Sequence, residues 1–583
     1  MKKCWKTLLS LCLAAILTGC AQQPVSNSPA VRLQDEISQS EESAGKEAIE
    51  PAALYQEPSE VSQRKLSIPE SSYVRYPIEA VEENELKYWL PMPASVSEGH
   101  ASIGETDWAK KWQENTGIRI LWTVPEPGEE TEQFRVMISA SLLPDIIEWE
   151  WTLTYEGGPK SARESGLVIP LNAYLTQEGP AADLWDFLQK HPWIDRQVRS
   201  DEGDYYCFPS ISSCADSPCE SGPIVRRDLL EACGIQIEEL STIDGLHQVL
   251  VRLKEAGIES PLTGCGLEDL FRYLLPAWNI RTGMFCGAET GEIQYGYVQR
   301  EFRECMKTLA QWMEEGLIDP DIERNESIDC AQRMLNGESA VTFGSLQKEF
   351  TYYLEQIEKA PEEFPEDIGF QAAKYPALEA GTVCGGAVYY EYRTDTGGSA
   401  SVTADCQTPE LAARFLNYSY TKEGHLLMNY GTREESWDLE GKDAVYTNQV
   451  LDYEAGGWNS LASALAHYCR THMPGPFVQD PEAIRQYFPQ ACQQEALTVW
   501  NVNPESLKTS LPPITLTQEE AAQYDPIRER METYISGVCS GWLHGGAASV
   551  RGEWEDYTKR LEELNLDFAV EIFQKALDRY QSR

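Results

Sequence analysis

Residues Lys111–Trp151 read KWQENTGIRILWTVPEPGEETEQFRVMISASLLPDIIEWEW, and their order of patterns decides the fold class. Trp108, Lys111, Trp112 and Asn115 stand at i, i+3, i+4 and i+7, so they share one helix face, and Gly117 supplies the stop. Ile118–Trp122 (IRILW) is a short apolar strand. A second helix is expected near Thr131–Leu142, with Phe134, Met137, Ile138 and Leu142 on one face and Pro144 ending it. Asp145-Ile146-Ile147 then opens a third strand, and Glu85–Leu90 (ELKYWL) upstream supplies the first. Strand, helix, strand, helix, strand with short links is the grammar of a parallel α/β sheet. Ligands of such sheets gather beyond the C-terminal strand ends. Those ends carry Trp89, Trp122 and the run Glu148-Trp149-Glu150-Trp151.

Outward from this stretch the totals set limits. A chain of 583 residues with 42% hydrophobic content holds two sizeable cores and a tether. Its 48 Lys+Arg against 93 Asp+Glu give a net charge of −45, a field that repels phosphate backbones and argues against nucleic-acid binding. With so many carboxylates, acidic pairs arise everywhere by chance and mark no catalytic centre. Of sixteen cysteines, Cys4, Cys12 and Cys20 lie at the N-terminus. The remaining thirteen are an odd number at scattered spacings, so at least one has no partner in the chain. Cys214 and Cys219 are the closest pair, able to form a small loop disulfide or half of a metal site.

The N-terminal MKKCWKTLLSLCLAAILTGC places Lys2, Lys3 and Lys6 before an apolar run from Leu8 to Leu17 that is too short to span a bilayer. It ends in Leu17-Thr18-Gly19-Cys20, which resembles the lipobox of bacterial lipoproteins, with residues 1–20 as the signal and Cys20 as the lipidated residue. The expected location is therefore the extracellular face of a cell membrane, of Gram-positive type, held by acyl chains. Residues 21–80, rich in Ser, Gln, Glu, Pro and Ala, read as a disordered tether. As a flexible coil its reach is roughly 40–45 Å.

The stretch from Trp112 to Trp151 also resembles the opening lobe of extracellular solute-binding proteins of family 1, the sugar-binding components of ABC transporters, in their long lipoprotein branch. Trp112–Ile118 matches a W-x-x-x-T-G-I segment before strand two, and Ala140–Ile146 matches the helix end before strand three. The likeness continues through Gly166–Tyr174, DEGDYYCFPSI at Asp201–Ile211, GPIVRRDLLEACGI at Gly222–Ile235 and GESAVTFGSL at Gly337–Leu346. Pro409–Gly431 and Tyr557–Tyr580 complete it, so the resemblance covers residues 81–583. At Thr432–Glu435 the sequence departs from the family's I-E-G bend.

The resemblance implies an α/β, two-lobed periplasmic-binding-protein-like fold of type II-like form, with discontinuous lobes joined by a hinge. The first lobe is expected at about 81–211 plus 395–510 and the second at about 212–394 plus 511–583. It implies a monomer that closes over a carbohydrate, an oligosaccharide in this branch, and delivers it to ABC permease subunits and their ATPase. Sugars offer C–H faces to aromatic rings and hydroxyls to carboxylates and amides. The candidate ligand residues are Trp149, Trp151, Tyr155, Glu148 and Glu150 in the first lobe, Arg226, Trp278 and Asn279 in the second, and Trp437 and Trp458 at the rim. Arg226 also reads as an ion-paired helix start, and Trp89 and Trp112 as core.

No G-x-S-x-G, H-E-x-x-H, P-loop or EF-hand pattern occurs, so no catalytic residue, metal or cofactor is expected. Of the seven histidines only His467 and His472 are close, at poor metal spacing. The competing readings are a secreted glycan-acting hydrolase, which needs only two suitably spaced carboxylates, and a lectin-like lipoprotein that meets no permease.

Overall fold

A computed structural model describes residues 65–583 except 80–83, 156–157, 215, 383, 385–388, 394–397, 471–472 and 501–502. The signal, Cys20 and the tether up to residue 64 lie outside the described residues.

The opening order folds as read, except that the second helix ends at Ser139 and leaves Leu142 outside it and exposed. Strand β1 (Glu85–Trp89) is followed by helix α1 (Asp107–Thr116), β2 (Arg119–Thr123), α2 (Glu130–Ser139) and β3 (Ile146–Glu148). Helix α1 starts where the Thr106 hydroxyl accepts the Ala109 N–H and stops at Gly117, whose φ of 73° is costly for any residue with a Cβ. Its buried face is Trp108, Ala109, Trp112 and Thr116. Strands β2 and β3 pair in parallel on either side of β1, with Tyr88 opposite Trp122 and Ile146. Ala400–Val402 adds an antiparallel strand beyond β3. Trp112 stacks on Phe415 at 4.1 Å and donates its indole N–H to the Phe415 carbonyl, which joins the late helix Pro409–Asn417 to the first core.

The second lobe has its own sheet, with Ser221–Arg226 at the centre and Val341–Ser345 and Phe370–Ala372 antiparallel on its two sides. Its core runs from Ile224 and Leu250 through Phe302, Trp312 and Phe343 to Trp542 and Phe573. The long helix Gln518–Glu563 lies along Arg300–Glu314 and bends at Gly546, where φ 76° and ψ 170° break the helical path. Among the described residues no helix is long and apolar enough to cross a membrane.

Between the cores the chain crosses three times. Phe208 bridges Ala400, and Ile211 bridges both Tyr392 and Val478. Ile211 N–H donates to the Phe477 carbonyl at 3.0 Å, Gln479 N–H to the Ile211 carbonyl at 2.8 Å, and Ser212 N–H to the Glu391 carbonyl at 2.9 Å. Three short adjacent extended segments are what a hinge between two packed bodies requires. Asp201 adds a tie: it accepts from Arg579 Nε at 2.9 Å and from Arg583 Nε and Nη2 at 2.9 and 2.8 Å, fixing the C-terminal helix to the loop before the first crossing.

Two expected boundaries move. Residues 65–79, assigned to the tether, lie along the first lobe: Val74 is buried, Tyr76 donates to the Arg414 carbonyl at 2.7 Å, and Tyr73 N–H donates to Asp183 at 2.9 Å. Their polar composition hid them because this stretch borrows a core built by other segments. The return to the second lobe comes near residue 480, not 510. Ile484, Phe488, Leu497 and Trp500 belong to the second core. Trp500 donates its indole N–H to the Pro223 and Ala373 carbonyls and lies against Gly222, where any Cβ would collide with the ring.

Candidate binding site

The three parallel strands of the first lobe all end toward the same rim, and the side chains just beyond them form an aromatic cluster. Trp149 meets Trp89 edge-on at 5.4 Å and Phe134 at 6.2 Å; Trp151 meets Phe134 at 5.2 Å and Tyr155 at 6.1 Å. Trp149, Trp151 and Tyr155 thus share one aromatic cluster, but not by the common strand face that their spacing predicted. Strand β3 stops at Glu148 and Trp151 begins a short helix, so the two tryptophans do not share a strand face. Trp151 is buried, whereas Trp149 and Tyr155 are half-buried. Among the described residues the indole N–H groups of Trp149 and Trp151 are buried without a hydrogen-bond partner, as is that of Trp122 on the Tyr88 side of the sheet. An unsatisfied buried donor costs about 1–3 kcal/mol, which a ligand acceptor can recover.

Several candidates stand elsewhere. Glu148 is not a ligand carboxylate: its side chain is 5% exposed and paired with Arg470, itself 3% exposed. Arg470 donates to Glu148 at 2.5 and 3.2 Å, and the Tyr88 hydroxyl donates at 2.6 Å. Arg470 also donates to the Pro474 carbonyl and lies 5.0 Å over the Trp108 ring. The pair supports the rim from beneath. Glu150 is half-buried at the entry to the short helix, where its carbonyl accepts from Thr154. Arg226 is buried in the second lobe, forked onto Asp228 at 2.8 and 2.7 Å and onto the Met334 carbonyl, so it has the ion-paired role and not the ligand role. Trp437 is buried in a small separate core with Tyr430 and Tyr446, its N–H donated to the Gly431 carbonyl, because residues 437–446 form a hairpin. The departure from the family bend lies just before it, with Glu434 at φ 66°.

Trp278 is half-buried against the second core, and Asn279 takes the left-handed conformation that ends its turn. They adjoin Arg281, whose guanidinium donates to the Ser506 carbonyl and Thr509 but among the described residues meets no carboxylate; burial pulls its pKa below the ordinary arginine value. Near it Tyr389 is 46% exposed, with the Arg393 guanidinium 4.0 Å from its ring centre. Tyr389 carried no sequence signal, because it lies in an irregular segment with no period.

Trp458 packs over His467 at 4.7 Å and against Gly99, in the segment following β1. His467 Nδ1 and His100 Nε2 are 3.0 Å apart. His472 lies outside the described residues, and among the described residues no three His, Cys, Asp or Glu side chains cluster as a metal site would need. Burial first, and the neighbouring His100 second, press the His467 pKa down to about 4, with Lys110 acting the same way and Asp107 opposing. A folded-state value below the unfolded 6.5 contributes stability above pH 6.5 that is lost as pH falls towards 4. His467→Gln is therefore expected to flatten the stability profile across that window by about 2 kcal/mol, measured by denaturant titration at stepped pH. An unchanged slope would show that the pair does not titrate as its burial demands.

A depression of about 330 Å³ lined by Leu354, Ile357, Glu358, Ile368, Gly369 and Gln490 belongs to the second-lobe side alone and touches none of these residues.

No family model matches the chain. It is 20% identical over 410 residues to lipoprotein LipO of Bacillus subtilis (strain 168), covering 64% of this chain and 72% of that protein. Among solved structures it is similar to an HMO-binding ABC-transporter-associated solute-binding protein from Bifidobacterium longum infantis, at 16% identity and TM-score 0.65, over 85% of this chain and 99% of the other. The Streptococcus pneumoniae ABC-transporter substrate-binding protein FusA, in complex with fructo-nystose, gives 19% identity and TM-score 0.63 over 85% and 99%. The alginate-binding protein AlgQ2 gives 20% and 0.62 over 85% and 98%. At these identities the likeness is one of architecture, and the chain has the two-lobed fold of the ABC-transporter solute-binding proteins.

Proposed function

We propose that this chain is the lipid-anchored, extracellular substrate-binding component of an ABC importer, and that it captures an oligosaccharide by closing its two lobes. The observation that carries the reading is the aromatic rim beyond the first-lobe strands, where half-buried Trp149 and Tyr155 stand over buried Trp151 and Trp149 keeps an unspent indole donor. Ring faces match the C–H patches of a sugar and the N–H groups match its oxygens. A facing wall around Trp278, Asn279, Arg281 and Tyr389 would complete the contacts from the second lobe. Only a ligand touching both lobes favours the closed state, because differential affinity is what shifts such an equilibrium. The fructo-oligosaccharide and HMO ligands named for two of the similar structures support an oligosaccharide, and LipO supports the lipoprotein reading. Lipidated Cys20 would hold the protein at the membrane, and a permease with its ATPase would read the closed monomer.

A thermal-shift screen against mono- and oligosaccharides tests the proposal. At a concentration about 100 times the dissociation constant, a ligand adds about 2.7 kcal/mol and the midpoint rises. A rise with one glycan family and no turnover is the expected result. Turnover of the glycan would overturn the binding role in favour of a hydrolase, and no rise across a broad panel would overturn the sugar.

A further inference from the structure

Cys265 and Cys330 lie 65 residues apart in sequence and bring their sulfur atoms to 3.0 Å. Both are thiols, Cys265 half-buried in the loop before Gly266 and Cys330 buried in the first turns of helix Ser327–Asn336. The surroundings hold them in place. Asp319, wholly buried, accepts from Thr263 Oγ1 at 2.9 Å, Asn325 Nδ2 at 2.8 Å and Arg333 Nε at 2.8 Å, which joins the Cys265 loop to the helix bearing Cys330. Asn325 also donates to the Gly264 carbonyl, next to Cys265. The sequence pointed to Cys214 and Cys219, but the Cys214 thiol donates to Glu391 and the Cys219 thiol to the Ser221 carbonyl.

We infer that Cys265 and Cys330 are a redox-active dithiol that forms an intramolecular disulfide on exposure to a small-molecule disulfide such as oxidised glutathione. Closing the sulfurs by about 1 Å reaches the bond length of about 2.05 Å. The more exposed Cys265 thiolate attacks one sulfur of glutathione disulfide and releases one glutathione thiolate, leaving a mixed disulfide. Cys330 then gives up its proton to solvent, attacks the Cys265 sulfur and expels the second glutathione. The protein loses two electrons and two protons, and two glutathione thiols form. The contact with Cys265, and then burial, hold the Cys330 proton in place, which suits Cys330 to the resolving step and not to the first attack. Because Gly266 (φ 94°) opens helix Leu267–Leu274, the cross-link would tie the start of that helix, with Asp269 and Arg272, to Ser327–Asn336.

The experiment is thiol titration and non-reducing peptide mapping of the intact folded protein before and after incubation with glutathione disulfide. The expected result is a loss of two titratable thiols, a cross-linked peptide pair containing Cys265 and Cys330, and a melting temperature higher by about 5 °C that dithiothreitol reverses. Cys330→Ser should stop the reaction at a stable glutathione adduct on Cys265, while Cys265→Ser should leave Cys330 unmodified. Mapping needs neither variant to fold. An unchanged thiol count, a persistent adduct on the wild-type protein, or a cross-link between other cysteines would each overturn the inference.

Discussion

Arg470→Ala is expected to cost about 3–5 kcal/mol of stability, read as a lower midpoint in chemical denaturation. The side chain is 3% exposed and neutralises Glu148, 5% exposed, at the end of β3. Removing the guanidinium leaves a buried carboxylate that, among the described residues, keeps only the Tyr88 hydroxyl as a donor. The ring of Trp108 loses its cation, and the space beside Gly475 empties, since a Cβ on that glycine would already lie 2.7 Å from the Arg470 guanidinium carbon. The penalty belongs to the uncompensated charge, so Arg470→Met combined with Glu148→Leu should recover most of it. A single variant within 1 kcal/mol of wild type would mean that water reaches the pair and that the rim rests on other contacts.

Trp149→Ala should weaken binding of any glycan found in the screen by about 30-fold, equivalent to about 2 kcal/mol. Trp149 is half-buried beside Trp89 and Phe134, so truncation removes the proposed ligand platform while leaving the deeper core of Tyr88, Trp108 and Trp112 intact. Trp149→Phe separates the two contributions: it keeps a ring but deletes the unpartnered N–H. An intermediate loss assigns part of the affinity to hydrogen bonding. Isothermal titration of both variants is the measurement, and unchanged affinity in the alanine variant would return Trp149 to the role of a core residue. The experiment depends on the proposed function; the Arg470 experiment does not.

These two tests fall on opposite sides of what was legible from the chain. Trp149, Trp151 and Tyr155 could be singled out because strand ends and loop aromatics are local features. Glu148 beside them looked identical in kind. Its burial is decided by Arg470, 322 residues later, and no local pattern announces that partner. Arg226 could be placed because its partner Asp228 is two residues away.

By itself the sequence determined the order β1–α1–β2–α2–β3, the stop of α1 at Gly117, and hence the class of sheet and where its strands end. Those features follow from side-chain period and backbone propensity, which act over a few residues. Only the tertiary structure decided which body each later segment joins. Residues 65–79 lie on the first lobe and Trp500 lies in the second, because each meets apolar surface and free carbonyls presented by distant chain. It also decided that Cys265 faces Cys330 and that Glu148 pairs with Arg470. Burial and charge pairing depend on distance in space, and a linear pattern does not carry that distance.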